Sequence, residues 1–173
     1  MAASQAIGEA TRRELIARGI ALGGTGSDVD SLHAMLRAEE LLVVTYEQLL
    51  AATVFTPPAT ELAERFLGHE RAHVAALARE LERLHGAPPR RPAGLGTVGS
   101  LGESAAVRLL LELERAALRV YYTELARVRD AGVARTAAAI MGNEAQHTTL
   151  LRELLSPGDV ALAVPASFVV GEQ

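Results

Sequence analysis

The amino-acid sequence predicts an all-α fold, a four-helix bundle of two helical hairpins joined by a long crossover. Three observations lead to this prediction. Alanine and leucine, both strong helix formers, dominate a chain of 173 residues that is 49% hydrophobic and only 3% aromatic. Apolar residues recur at helical spacing in four long segments. A stretch rich in glycine and proline separates the second segment from the third, as expected for a crossover between hairpins.

The first two segments form the first predicted hairpin. Segment one runs from about 28 to 53, with Ser27 or Asp28 as its N-cap. The prolines of "FTPPAT" end this segment, because proline cannot continue a helix. Segment two runs from about 59 to 85 and is followed by Gly86, a suitable C-terminal cap.

The second predicted hairpin begins after the irregular stretch 86–102. Its helices run from about 103 to 129 and from about 133 to 155, and "DAG" forms the turn between them. The expected organisation is therefore an N-terminal arm or helix at 1–27, the bundle at 28–155, and an extended, non-helical tail at 156–173 that packs along the bundle.

Composition removes several classes of function. The net charge of −4 argues against a nucleic-acid-binding protein, which needs a basic face to replace counterions. The chain has no cysteine, which excludes disulfides, thiolate zinc sites, iron–sulfur clusters and a cysteine nucleophile. No apolar run reaches the roughly 18 residues that a membrane span requires, so we expect no membrane segment.

Residues 11–24 allow two interpretations. Arg12 and Arg13, with apolar residues after them, resemble the start of a twin-arginine export signal. The apolar region is short and contains Arg18, which favours a short amphipathic helix or arm instead. We therefore expect a cytoplasmic protein, with export by the twin-arginine route as the alternative if this segment acts as a signal.

The residues suited to chemistry occur in two copies. "GHERAHVAAL" contains H-E-x-x-H, a pattern typical of zinc peptidases, but only its E-x-x-H part recurs in the fourth segment. In the first and third segments, a glutamate is followed seven residues later by a tyrosine on the same helix face, about 10 Å along the axis. The repeated residues are Glu39, Tyr46, Glu70 and His73 in the first hairpin and Glu114, Tyr121, Glu144 and His147 in the second.

All four repeated glutamates fall on the apolar stripes of their helices. A buried, unpaired carboxylate is strongly destabilising, so these groups must be protonated, paired with cations or bound to metal. Two divalent ions would balance four carboxylates, and the glutamate and histidine of E-x-x-H face the same way. Oxygen-rich ligation with one imidazole for each ion suits iron or manganese.

His69 is the part of the zinc-peptidase pattern that does not recur. It lies about 100° round the helix from Glu70, so we expect a half-exposed residue without a ligand role, whose substitution leaves metal bound. The competing zinc-peptidase hypothesis needs His69 and His73 as ligands and Glu70 as the base. A helical bundle offers such an enzyme no substrate cleft with an edge strand.

The arrangement resembles the ferritin-like di-iron carboxylate superfamily, in which two helices each give a glutamate and two others each give E-x-x-H. The resemblance covers residues 28–155. Within the superfamily, the chain is most similar to bacterial ferritin-like domain proteins akin to desiccation-related proteins. This similarity rests on "LHAMLRAEELLVVTYEQLL", "HERAHVAAL" and "VPASFVVG".

The resemblance implies two bound iron ions, with manganese or a mixed iron–manganese pair as alternatives. Glu70 and Glu144 would bridge the ions, while Tyr46 and Tyr121 would lie beside the ligands, as hydrogen-bond donors, as redox-active groups or as plain core residues. The implied ligands are Glu39, Glu70, His73, Glu114, Glu144 and His147.

The function that follows from this resemblance is a ferroxidase, peroxidase or oxidase with O₂ or peroxide as its small-molecule substrate. The alternative is a structural or stress-protective bundle without redox turnover. For partners, we expect neither nucleic acid nor membrane, and a homodimer remains open.

Overall fold

The structure is a computed structural model that describes residues 27–96, 98 and 100–163. In this part of the chain the regular elements are all helical, so the prediction of an all-α four-helix bundle is confirmed. A fifth helix of one turn follows the bundle. The helices are α1 (Asp28–Ala51), α2 (Pro57–Arg83), α3 (Glu103–Leu125), α4 (Ala131–Leu155) and α5 (Val160–Ala163).

Local capping explains where α1 and α4 begin. Ser27 forms a capping box with Asp30, because each side chain accepts a hydrogen bond from the backbone of the other residue. This confirms Ser27 as the N-cap. At the start of α4, the Asp130 carboxylate accepts hydrogen bonds from the N–H groups of Gly132 and Val133. The helix therefore begins two residues before the predicted start.

Four other helix ends differ from the prediction. Helices α1 and α2 end at Ala51 and Arg83, each two residues early. Helix α2 begins at Pro57, since proline is tolerated in the first turn, where its missing N–H would have no partner. Helix α3 ends at Leu125 and not near residue 129, because the N–H groups of Arg127 and Val128 both bond to the carbonyl oxygen of Glu124. The DAG turn is correspondingly longer on its N-terminal side.

The helices pack both within and between the hairpins. Helix α1 packs on α2 and α3 packs on α4, while α1 also packs on α3 and α2 on α4. At one end of the bundle, the Asp28 carboxylate accepts hydrogen bonds from the N–H groups of Arg129 and Asp130. At the other end, Glu103 accepts one from the N–H of Thr56. Helices α1 and α3 are therefore antiparallel, and so are α2 and α4.

The crossover returns along α1 from one end of the bundle to the other. Near its start, His33 of α1 bonds through Nε2 to the carbonyl oxygen of Ala87 at 2.7 Å. Further on, Arg91 forms an ion pair with Glu47 at 3.1 Å. Leu95 and other apolar side chains of the crossover are buried against the core. The glycine- and proline-rich stretch thus has the role that the sequence predicted.

The chain beyond α4 differs from the extended tail that we expected. Val160–Ala163 form one helical turn that packs on α4, whereas the rest of the tail, 164–173, lies outside the described residues. The predicted arm and possible export signal in residues 1–26 also lie outside them. Within the described part of the chain, no helix combines the length and apolar character that crossing a membrane requires.

Candidate metal centre

The six residues expected to bind metal meet in the middle of the bundle. Helices α1 and α3 each contribute a glutamate, while α2 and α4 each contribute a glutamate and a histidine one turn apart. All four glutamates have 0% exposure, and the two histidines are 8% and 1% exposed. The apolar stripes of the sequence therefore located buried carboxylates correctly. The assembled residues are Glu39, Glu70, His73, Glu114, Glu144 and His147.

The six side chains form two overlapping groups, each able to hold a metal ion. In each group, one ligand atom from every residue lies within 4.8 Å of the others. Glu70 and Glu144 belong to both groups, so their carboxylates lie between the two positions. The first group is Glu39, Glu70, His73 and Glu144, and the second is Glu70, Glu114, Glu144 and His147.

Both histidines direct Nδ1 into the cluster. His73 Nδ1 lies 2.9 Å from Glu144 Oε1 and 3.2 Å from Glu39 Oε2. His147 Nδ1 lies 3.0 Å from Glu70 Oε1 and 3.5 Å from Glu114 Oε1. The donors of a two-ion site, carboxylate oxygens and one imidazole nitrogen at each position, are thus already facing one another.

The electrostatics of the cluster favour cations strongly. Burial alone would lower the pKa of His73, but the carboxylates of Glu144, Glu39 and Glu70 overcome this and raise the pKa to about 12. Burial likewise opposes protonation of His147, whose pKa is raised to about 12 by Glu114, Glu144 and Glu70. Four carboxylates converge here, and they hold a positive charge on each imidazole when protons are the available cations.

Burial disfavours the ionised form of two of the carboxyl groups, those of Glu39 and Glu114. Burial raises the pKa of Glu39 well above its ordinary value, and the charges of Glu144 and Glu70 raise it further. Burial also raises the pKa of Glu114 to about 8, with the neighbouring Glu144 carboxylate as the next cause. A divalent ion would relieve both effects, since its positive charge stabilises carboxylates that have lost their solvation and lie beside other negative charges.

Unpartnered atoms provide a direct test of whether these residues fit a metal. Among the described residues, the buried side-chain atoms that make no hydrogen bond of good geometry include both carboxylate oxygens of Glu70 and of Glu144, together with Glu114 Oε2 and His147 Nδ1. Two close approaches of 2.9 and 3.0 Å, from His73 Nδ1 to Glu144 and from His147 Nδ1 to Glu70, satisfy them only in part. Buried polar atoms are normally hydrogen-bonded. Here six of them gather at one place, and each is a metal-donor atom. The donor set fits a cation-binding centre.

The two tyrosines bind the glutamates of the opposite hairpin. Tyr46 on α1 donates its hydroxyl proton to Glu114 on α3 at 2.7 Å, and Tyr121 on α3 donates to Glu39 on α1 at 2.5 Å. Both rings have 0% exposure. Burial raises the pKa of each phenol well above its ordinary value, and the nearest glutamate charge adds to this. The tyrosines therefore remain protonated donors.

Sequence reasoning missed two contacts made by the residues before the E-x-x-H glutamates. His69 Nδ1 lies 3.0 Å from His147 Nε2, and Asn143 Oδ1 lies 3.0 Å from His73 Nε2. His69 is partly buried, close to the half-exposed position that we expected. Burial and then the neighbouring rings of His147 and His73 lower the pKa of His69. The ring of His69 therefore remains neutral and can accept a hydrogen bond.

The two histidine positions differ in their surroundings. The His147 side chain is 1% exposed and stacks on Phe66 with ring centroids 4.0 Å apart. The His73 side chain is 10% exposed. The centre is therefore nearer to solvent beside His73 than beside His147.

The comparisons with known proteins agree with this architecture. A family model described as "Ferritin-like domain" matches residues 27–157. Among curated proteins, none matches this chain. A solved structure of a conserved hypothetical protein from Mycobacterium tuberculosis matches with a TM-score of 0.68 and 18% identity, over 82% of this chain and 96% of that one.

A hypothetical protein from Methanococcus jannaschii also matches, with a TM-score of 0.64 and 14% identity, over 73% of this chain and 78% of that one. At such low identities these two structures show the shared fold alone. The family match shows more than the fold, because it spans well over half of the chain and includes every residue of the two candidate metal groups. The chain therefore belongs to the ferritin-like domain family.

Proposed function

We propose that this protein is a di-iron carboxylate protein that reacts with O₂ or peroxide, as a ferroxidase, peroxidase or oxidase. The proposal rests above all on the unpartnered donor atoms. At 0% exposure, none of the four carboxylate oxygens of Glu70 and Glu144 makes a hydrogen bond of good geometry, although Glu144 Oε1 and Glu70 Oε1 lie 2.9 and 3.0 Å from the Nδ1 atoms of His73 and His147. Such atoms are costly unless a cation satisfies them. Protons on His73 and His147 reach them only in part.

Each ion would have its own ligands as well as shared ones. Glu39 and His73 would bind one ion, Glu114 and His147 would bind the other, and the carboxylates of Glu70 and Glu144 would bridge the two. Two divalent ions bring four positive charges to four carboxylates. Oxygen donors with one imidazole for each ion favour iron, with manganese or a mixed iron–manganese pair as alternatives.

Iron bound here would supply one-electron redox chemistry toward O₂ or peroxide. The chain's own residues hold the ligands and control access. Tyr46 fixes one carboxylate oxygen of Glu114 and Tyr121 fixes one of Glu39, and the buried core excludes bulk water. A small oxidant would enter beside His73, whose side chain is 10% exposed whereas that of His147 is 1% exposed.

The zinc-peptidase hypothesis receives no support from the position of His69. In the described part of the chain, neither candidate metal group includes His69. Its Nδ1 contacts the outer nitrogen of His147 and does not join His73 around a shared ion. Glu70, which a zinc peptidase would use as its base, belongs to both groups and has 0% exposure, so it presents no face to a peptide.

Metal analysis and iron oxidation test the proposal. Purified protein is expected to bind about two Fe(II) ions for each chain and to develop a ferric absorption band in air, since both groups are complete. Glu144→Ala removes a carboxylate common to both groups and should abolish the band. Glu82→Ala is the matched control, because Glu82 is an exposed glutamate on α2 and its loss should leave binding and oxidation unchanged.

The same experiment separates the redox proposal from a purely structural bundle. A chain that remains fully stable, binds no iron and shows no iron oxidation would overturn the proposal and favour the structural role. Binding of about two ions without any reaction toward O₂ or peroxide would leave a metal centre and refute its redox function.

A further inference from the structure

The position before each E-x-x-H glutamate is used in the same way in both hairpins. His69 of α2 reaches His147 of α4, and Asn143 of α4 reaches His73 of α2, each at 3.0 Å. Because α2 and α4 are antiparallel, the two contacts are reciprocal and lie on either side of the same cluster. Each histidine of the centre is therefore held from outside by the opposite hairpin.

Both contacts are made through the Nε2 atom of the histidine, and this determines which nitrogen remains free to bind a metal. Both histidines point Nδ1 toward the carboxylates and Nε2 toward these two partners. A neutral imidazole carries one proton, so Nδ1 can offer a lone pair to metal only when Nε2 keeps the proton. The Oδ1 atom of Asn143 can only accept a hydrogen bond, which places a donor proton on His73 Nε2. For His147, the corresponding acceptor is Nδ1 of His69.

Histidine and asparagine can share this role because their acceptor atoms are equivalent. His Nδ1 and Asn Oδ1 are each bonded to Cγ, so they lie equally far along the side chain. Both also occupy the same position relative to the following glutamate. The duplicated unit is thus an acceptor followed by E-x-x-H, although the amino acid at its first position differs.

We propose that His69 and Asn143 are positioning residues that hold His147 and His73 with Nδ1 facing the metals. This inference rests on the proposed two-metal function. It departs from the sequence expectation that substitution of His69 leaves metal binding intact. Partners of this kind on metal-binding histidines fix the tautomer and ring orientation, and their loss typically weakens metal binding by about 10- to 100-fold.

Two substitutions at His69 distinguish hydrogen bonding from packing. His69→Leu keeps much of the volume but removes the acceptor, whereas His69→Asn keeps an acceptor at the δ position, as the other hairpin does. Cobalt(II) titration against a chelator measures the affinity, and the visible cobalt spectrum reports the coordination. His69→Leu should weaken one of the two ions by about 10- to 100-fold and alter the spectrum, and His69→Asn should restore both.

The second hairpin offers the matching pair. Asn143→Leu should weaken the ion beside His73 by a similar factor of about 10 to 100, and Asn143→His should restore it. Gln146→Leu is the control, since Gln146 is an exposed amide on the same helix and should leave cobalt binding unchanged. Wild-type affinity and spectrum in both leucine variants would overturn the inference. So would equal losses in His69→Asn and His69→Leu, because packing alone would then explain the effect.

Failure of this inference is distinguishable from failure of the two-metal proposal. Wild-type protein that binds no cobalt refutes the two-metal function before any variant is made. The hydrogen bond itself can be followed in the metal-free protein by NMR, through slow exchange of the Nε2–H proton of His147. That proton should exchange slowly in the wild type and in His69→Asn and quickly in His69→Leu. Equal exchange in all three proteins would refute the positioning role independently of metal.

Discussion

The two hairpins carry the same functional set, yet their halves of the centre differ in two respects. His73 is held by the amide of Asn143 and its side chain is 10% exposed. His147 is held by the ring of His69 and its side chain is 1% exposed. At the position before the E-x-x-H glutamate, the two hairpins therefore share a contact to the opposite histidine but not the amino acid that makes it.

The comparison also shows that neither hairpin builds its half alone. Tyr46 of the first hairpin bonds Glu114 of the second, and Tyr121 bonds Glu39 in return. Together with the contacts of His69 and Asn143, four polar contacts cross between the hairpins around one buried cluster. The orientation of each ligand thus depends on the register between hairpins, which links metal binding to correct packing of the whole bundle.

The largest expected effect is on the number of bound ions, and it distinguishes carboxylates that belong to both metal groups from those that belong to only one. Glu70→Gln changes a residue of both groups and should reduce bound Fe(II) from about two ions to about none, because each position loses a charge. Glu39→Gln and Glu114→Gln each change a residue of one group and should leave about one ion. Metal content measured after removal of unbound iron gives the three stoichiometries.

Glu82→Gln, at an exposed position of α2, serves as the charge-matched control and should retain about two ions. If Glu39→Gln loses both ions, the assignment of Glu39 to only one of the two metal positions would be contradicted. Unequal loss in Glu39→Gln and Glu114→Gln would show instead that the more exposed half binds its ion less tightly.

Sequence alone could predict the four helices and the buried carboxylates. The helical spacing of apolar residues identifies each helix, and the position of Glu39 or Glu114 within an apolar stripe is a local property of one helix. The i, i+3 spacing of Glu70 and His73 likewise places both side chains on one face without knowledge of the partner helix. These predictions needed only periodicity, which one segment contains in full.

Contacts between helices could not be predicted in the same way. Each tyrosine follows a glutamate of its own helix at a two-turn spacing, but it bonds the glutamate of the opposite helix. This happens because the antiparallel packing of α1 on α3 brings Tyr46 level with Glu114. The role of His69 depends equally on the register of α2 against α4. The sequence does contain a signal for this role, because His69 and Asn143 occupy equivalent positions and both carry an acceptor atom at the δ position. A search for identical residues in the two hairpins does not detect it.

An intermediate effect tests whether the crossed tyrosine contacts are equivalent. Tyr46→Phe and Tyr121→Phe each remove a hydrogen bond to a buried carboxylate, and each should lower the free energy of unfolding by about 1–2 kcal/mol. Urea unfolding of the metal-free protein measures this. Tyr122→Phe is the neighbouring control, since Tyr122 is 45% exposed and should change little. Stability equal to wild type in both buried variants would show that the two tyrosine hydroxyls do not stabilise the packing between the hairpins.

The smallest expected effect concerns a crossed contact at the surface. Arg83 of the first hairpin pairs with Asp130 of the second at 2.5 Å, and this pairing, followed by the N–H of Val133, lowers the pKa of Asp130 to about 2. Because the pKa is lower in the folded state, the stabilisation is present above the unfolded value of about 4 and is lost as pH falls toward 2.

Asp130→Asn should therefore be slightly less stable than wild type at pH 5 and equal to it near pH 2. Added salt should shrink the difference, since dissolved ions screen this exposed pair. Acid titration of the unfolding midpoint measures the effect. A difference between wild type and Asp130→Asn that persists unchanged at pH 2 would mean that the surface contact acts through capping of α4 and not through its charge.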